Sequence, residues 1–210
     1  MLLMALFVYA IYRLTRPTKQ DFIDFVRQWE GGTSRATTDT ASEDVAPGTG
    51  GIHTNKGIRW TTYYNNGKGH GYKPTVSDFL KMTDERWLQI FNDVYWKPMY
   101  GDKLMLKDPA LAFFVVQFAW GSGTGGAEKQ LAKFQREKMG IVDNNITKQE
   151  IANNFVLDPM PFPIRFQQLI DFKADYYRSL KQPANLKGWL NRLNDFNEKF
   201  KPLGETIELN

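Results

Sequence analysis

Between Pro109 and Trp120 the chain reads PALAFFVVQFAW, twelve residues in which Gln117 is the one polar side chain. A helix that is apolar on nearly every face has to be surrounded by other elements, so this stretch is expected to form the central helix of a core. Gly121, Gly123, Gly125 and Gly126 follow it and are expected to end it. The surround is helical as well. Phe22, Ile23, Phe25, Val26 and Trp29 recur at helical spacing behind Thr18, a candidate N-cap. Trp87, Ile90, Phe91, Val94 and Tyr95 do the same behind Thr83, and Thr75 is a further candidate cap. Helical patterns continue over 127–138, 147–155, 164–181 and 187–200. A chain of 210 residues with 42% hydrophobic content supports one well-buried core and a small satellite lobe. The fold class read from this is mainly α.

Two stretches break the pattern. After Gly31 and Gly32, which are expected to stop the first helix, a segment rich in Thr, Ser, Gly and Asp runs to about Gly57. It reads as a functional loop with room for a short hairpin. Aromatic and glycine residues then mix from Trp60 through Tyr63, Tyr64, Gly67, Gly69, His70 and Gly71 to Tyr72, which suits a surface loop with exposed rings.

Several chemistries are excluded or unsupported. The chain has no Cys, so it holds no disulfide, thiolate metal site or thiol nucleophile. Two His without Cys or a spaced carboxylate pattern make a poor zinc site, and neither metal nor cofactor is expected. The glycines after Trp120 lack the Gly-Lys-Ser/Thr that closes a phosphate loop. Lys and Arg exceed Asp and Glu by 27 to 23, a net charge of +4 that favours polyanions in general. The basic residues are scattered, so nucleic acid is not expected as a partner. Residues 1–12 form an apolar run followed by Arg13, Arg16 and Lys19. That run is shorter than the roughly 20 residues of a spanning helix, and it is expected either to touch a membrane as a short anchor or to pack on the domain.

The most informative feature is Glu30-Gly31-Gly32 followed, after the polar loop, by Gly50-Gly51-Ile52-His53-Thr54-Asn55-Lys56-Gly57-Ile58. Glycosidic cleavage needs a carboxylic acid that keeps its proton near neutral pH. A Glu at a helix end, between aromatic core residues and a glycine-lined loop, is placed for that by desolvation. The same residues also read as an exposed helix-end carboxylate with a glycine C-cap, and the local sequence leaves both readings open.

Glu-Gly-Gly, a Gly-Gly pair and Thr-x-x-Gly-Ile together resemble the signature of glycoside hydrolase family 108, bacterial and phage muramidases also labelled secretion activators. Tyr95-Trp96 is similar to the family's Tyr-Trp pair, and Phe118-Ala119-Trp120-Gly121-Ser122-Gly123 to the end of its central helix. Leu131 with Phe134-Gln135 resembles the core of its C-terminal peptidoglycan-binding module, and Gly188-Trp189-Leu190-Asn191-Arg192 its closing element. The resemblance implies a lysozyme-like α-helical domain with Glu30 as proton donor and Thr54 positioning a water or a sugar hydroxyl. Where the family carries an Asp ahead of the Gly-Gly pair this chain has Pro47-Gly48-Thr49, so Glu43 or Asp44 is the expected replacement. Gln117 stands where the family tends to carry Asp. Gly51, His53, Trp60, Tyr64, Trp96 and Gln117 are the candidate substrate contacts, the aromatic ones because sugar rings stack on aromatic faces.

The expected organisation is an apolar segment over 1–17, a lysozyme-like catalytic region over 18–125, a peptidoglycan-binding-like helical region packed on it over 126–200 and a tail over 201–210. The expected activity is cleavage of the β-1,4 bond between N-acetylmuramic acid and N-acetylglucosamine by a monomer acting on peptidoglycan strands, in the cell envelope or delivered there by phage. Two alternatives stay open: a wall-binding or secretion-assembly protein that has lost the carboxylate pair, and a lytic transglycosylase.

Overall fold

The computed structural model describes residues 16–35 and 43–202. The anchor-or-packed-helix expectation for residues 1–12 lies outside the described residues. Among the described residues no helix is long and apolar enough to cross a membrane.

Helix α1 (Lys19–Trp29) opens with a reciprocal capping box between Thr18 and Asp21 and buries Phe22, Ile23, Phe25 and Val26. Its end differs from the expected glycine stop. Glu30 itself turns extended (φ −100°, ψ 113°) and is the C-cap residue, while neither Gly31 nor Gly32 takes a positive φ. The chain leaves directly into strand β1 (Thr33–Ser34), which pairs antiparallel with β2 (Thr54–Asn55), and β2 pairs with β3 (Ile58–Arg59). Lys56 and Gly57 join β2 to β3 with φ of 47° and 75°, the two positive values that a type I′ hairpin turn requires. Hydrogen bonds hold Lys56 in that unusual conformation: its carbonyl accepts from Trp87 Nε1 at 2.9 Å and its Nζ donates to the Met82 carbonyl at 3.0 Å.

The stretch expected as a surface loop is helix α2 (Trp60–Gly69). Tertiary contacts override its glycine content. Tyr63 is buried against Phe79, and a side chain at Gly67 would collide with Pro74 and Tyr72. The N-terminus of α2 is held by Asp44, whose carboxylate accepts from the Thr61 backbone N–H and, at 2.6 Å, from the Thr61 hydroxyl. Short α3 (Val76–Leu80) and α4 (Asp84–Ile90) start at Thr75 and Thr83, as their caps imply. Beyond α4 the helix widens into π-helical turns over Phe91–Trp96, and α5 (Gly101–Lys107) follows.

Helix α6 (Pro109–Met139) runs through the centre, with Pro109 to Ala119 all buried, and its helical geometry is interrupted at Gly123 (φ 72°, ψ 159°). The glycine run therefore breaks the helix where expected, and helical structure resumes at once. The anticipated division at 125/126 falls inside this element. Helices α7 (Lys148–Leu157), α8 (Phe162–Ser179) and α9 (Pro183–Phe200) form the C-terminal lobe. They do not stand apart, because Phe166 and Phe196 pack on Phe114 of α6, and Phe196 also packs on Phe25 of α1. Inside the lobe Arg165 and Asp158 form a buried pair in which Nε lies 2.5 Å from Oδ2.

Candidate active site

Glu30 stands where α1, the hairpin turn, α6 and α9 converge. Trp120 Nε1, at the end of the apolar half of α6, donates to Glu30 Oε1 at 2.9 Å. Arg192 Nη2, from α9, lies 2.9 Å from the same oxygen and donates to the carbonyl of Trp29 at 3.1 Å. That leaves Oε2, which faces Gly57. A Cβ at Gly57 would lie 2.6 Å from Glu30 Cδ and nearer still to Oε2, so the turn residue has to be glycine on steric grounds as well as for its φ of 75°. The side chain of Glu30 is 14% exposed, so the carboxylate is largely enclosed yet reachable.

Aromatic rings wall the carboxylate on one side. Trp87 and Tyr95 pack against Trp120 with ring centroids 5.3 and 4.7 Å away, so the indole has little freedom to swing off Glu30. Burial pushes the Tyr95 phenol up to about 12, with Arg59 opposing the shift and Glu30 adding to it, which sets Tyr95 within electrostatic reach of the carboxylate. Behind Arg192 lies Lys173, buried among Phe114, Phe118 and Tyr177, with its Nζ donating to Gln117 Oε1 at 2.7 Å. Burial, then the charge of Arg192, holds that ammonium well below its usual range.

The other sequence candidates fall into three groups. Thr54 is nearly buried in the middle strand, and since Asn55 points toward α3 through hydrogen bonds to the Phe79 and Leu80 carbonyls, Thr54 projects from the opposite face of the sheet. Trp60 and Tyr64 are half-buried neighbours with ring centroids 5.5 Å apart, and each keeps some surface open to solvent. Gly51 (φ 111°) shapes the loop that brings the Ile52 carbonyl to the Ala46 N–H at 2.8 Å. Burial takes three candidates away from any surface a glycan reaches. Trp96 is 1% exposed and donates to Asp102, Gln117 is 3% exposed and accepts from Lys173, and His53 has no exposed surface. Glu43 is exposed, and Asp44 caps α2 as described.

Gly57 shares a sequence motif with Glu30, whereas nothing in the sequence places Trp120, Tyr95 or Arg192 beside that carboxylate. For Trp120 there is a usable signal: an indole N–H packed among aromatic core residues needs an acceptor from outside its own helix. For Arg192 there was none, because its partners Trp29 and Glu30 lie more than 160 residues away along the chain.

The model of glycosyl hydrolase 108 matches residues 23–123, a span that holds Glu30, Gly57, Tyr95 and Trp120 and stops short of Arg192. The solved structure of Brucella abortus SagA superposes with a TM-score of 0.63 at 22% identity, covering 89% of this chain and 99% of that one. At that identity the likeness speaks for the fold. No curated protein sequence gives a significant match.

Proposed function

We propose that this chain, whose residues 23–123 match the model of glycosyl hydrolase 108, cleaves the β-1,4 bond between N-acetylmuramic acid and N-acetylglucosamine in peptidoglycan, with Glu30 as general acid. One observation carries the assignment of the acid. Oε1 is fixed by Trp120 and Arg192, while Oε2 sits over the Gly57 backbone where a side chain would collide. Oε2 is therefore the oxygen that carries the proton and gives it to the glycosidic oxygen as the bond to C1 breaks. A water then adds at C1 and its proton passes to a base. Glu43 and Asp44 are the candidates for that base, and Thr54 for orienting the water. Trp60 and Tyr64 offer the stacking surface for neighbouring sugars. On this reading the protein works as a monomer on glycan strands of the cell envelope, reached by export or delivered by phage.

A second reading is favoured by the state of Asp44, whose carboxylate is engaged by Thr61 at the start of α2. With Asp44 so engaged, Glu30 alone serves a lytic transglycosylase: it protonates the leaving oxygen and then takes the proton of the muramic acid C6 hydroxyl as that oxygen closes on C1 and an anhydro ring forms. Mass spectrometry of the fragments released from purified peptidoglycan separates the two. Reducing N-acetylmuramic acid ends support hydrolysis, anhydro ends move the protein to the transglycosylases, and no release of fragments sinks both.

A further inference from the structure

The match to the glycosyl hydrolase 108 family ends at residue 123, yet a residue of the last helix stands on the carboxylate to which the chemistry is assigned. We propose that Arg192 is a positioning residue for Glu30, so that α9 completes the active centre. The proposal rests on the reading of Glu30 as the acid.

Register carries the argument. Arg192, Phe196 and Phe200 follow one another at intervals of four along α9 and so share one face of the helix. That face lies antiparallel along α1. Phe200 packs on Phe22 and Phe25 at ring-centroid distances of 6.2 and 5.4 Å, and Phe196 packs on Phe25 at 5.7 Å. The next step along the same face brings Arg192 to the C-terminal end of α1, where its Nη2 bonds the Trp29 carbonyl and pairs with Glu30. A cation at that end is favoured by the helix dipole, and the Trp29 carbonyl has no partner within its own helix. The two aromatic contacts thus set the reach of the guanidinium.

Glu30 needs such a support. It is the C-cap residue in an extended conformation, its N–H bonded to the Arg27 carbonyl at 3.2 Å, so the helix holds its backbone but not its carboxyl group. One donor on Oε1 leaves the carboxyl free to pivot about that contact. With Trp120 approaching from α6 and Arg192 from α9, Oε1 is held from two elements and Oε2 is left over Gly57. The Arg192 side chain is 25% exposed, so it is held between the two helices without being sealed from solvent.

The test compares wild type with Arg192→Lys and Arg192→Ala in the full chain. Loss of the guanidinium is expected to lower kcat about 10- to 100-fold with KM unchanged, the scale of a misplacement near 1 Å. Arg192→Lys falls between, and millimolar guanidinium restores part of the kcat of Arg192→Ala. The Trp120 indole 1H–15N resonance, which reports the bond to Glu30, shifts and loses protection from exchange in Arg192→Ala. An unchanged kcat overturns the proposal, as does a raised KM at constant kcat, which would make Arg192 a substrate contact. A fall in kcat that tracks a lower unfolding midpoint and is not restored by guanidinium also overturns it. If wild type cleaves no glycan, the reading of Glu30 fails by itself. The indole resonance then decides on Arg192, with an unchanged signal counting against it.

Discussion

The contact between Gly57 and Glu30 allows a substitution whose effect on activity separates cleanly from its effect on stability. In Gly57→Ala the new Cβ would stand 2.6 Å from Glu30 Cδ, whereas carbon atoms settle about 3.5–4.0 Å apart. Either the turn or the carboxyl has to move by about 1 Å, and a catalytic group misplaced by that much loses on the order of 100-fold in rate. The backbone contributes a separate cost, since alanine at φ 75° is disfavoured by about 1–2 kcal/mol. Gly140→Ala isolates that second cost. Gly140 closes α6 at φ 69° and has nothing within 4 Å of its Cβ position, so the variant carries the same backbone strain away from Glu30. Urea unfolding of both variants and turnover of soluble peptidoglycan fragments give the four numbers required. Gly140→Ala is expected to lose about 1–2 kcal/mol of stability and Gly57→Ala at least as much, with activity falling about 100-fold in Gly57→Ala alone. Wild-type turnover in Gly57→Ala, or equal losses of turnover in the two variants, would refute the argument that Gly57 makes room for Oε2.

Other perturbations address the neighbouring groups. Trp120→Phe keeps the aromatic packing and removes the donor to Oε1. A hydrogen bond to a charged group contributes about 1.5–3 kcal/mol, so kcat should fall by about one to two orders of magnitude, and unchanged steady-state kinetics would dismiss the contact. Lys173 is held well below its ordinary value of 10.5, first by burial and then by Arg192. Between its folded and unfolded values the unfolded chain binds the extra proton, so this group makes stability rise with pH, by up to about 1.4 kcal/mol per unit. Lys173→Met should remove that slope and stabilise the protein near neutrality. Urea unfolding from about pH 8 to 10 reads the effect, and parallel curves for the two proteins would contradict it. Arg165→Ala leaves Asp158 buried without its partner and should cost about 3–5 kcal/mol in urea unfolding, a loss below 1 kcal/mol being incompatible with the buried pair.

The parts of the molecule that the sequence discloses are those fixed by local physics. The run from Pro109 to Ala119 could only be a central helix, and Thr18, Thr75 and Thr83 mark helix starts through the hydrogen bonds their hydroxyls make. Helix α2 stayed hidden because its stability comes from elsewhere in the chain, from Asp44 at its N-terminus and Phe79 against Tyr63. The Tyr95-Trp96 pair was legible as a pair but not in orientation. The π-helical turns that carry it send Trp96 into the core and leave Tyr95 against Trp120. At the site, Glu30 and Gly57 could be read from their motif, whereas the two groups that hold Oε1 arrive from positions 120 and 192. No periodicity or cap relates those positions to residue 30, and packing alone brings them there.

The most direct test of the account is Glu30→Gln beside wild type on purified peptidoglycan, with urea unfolding of both. The amide preserves the size of the side chain but has no acidic proton to give from the oxygen that faces Gly57. Glu30→Gln is expected to be a folded protein of near wild-type stability that releases no glycan fragments, against clear release by wild type. Substantial turnover by Glu30→Gln would contradict it and move the chemistry to another residue.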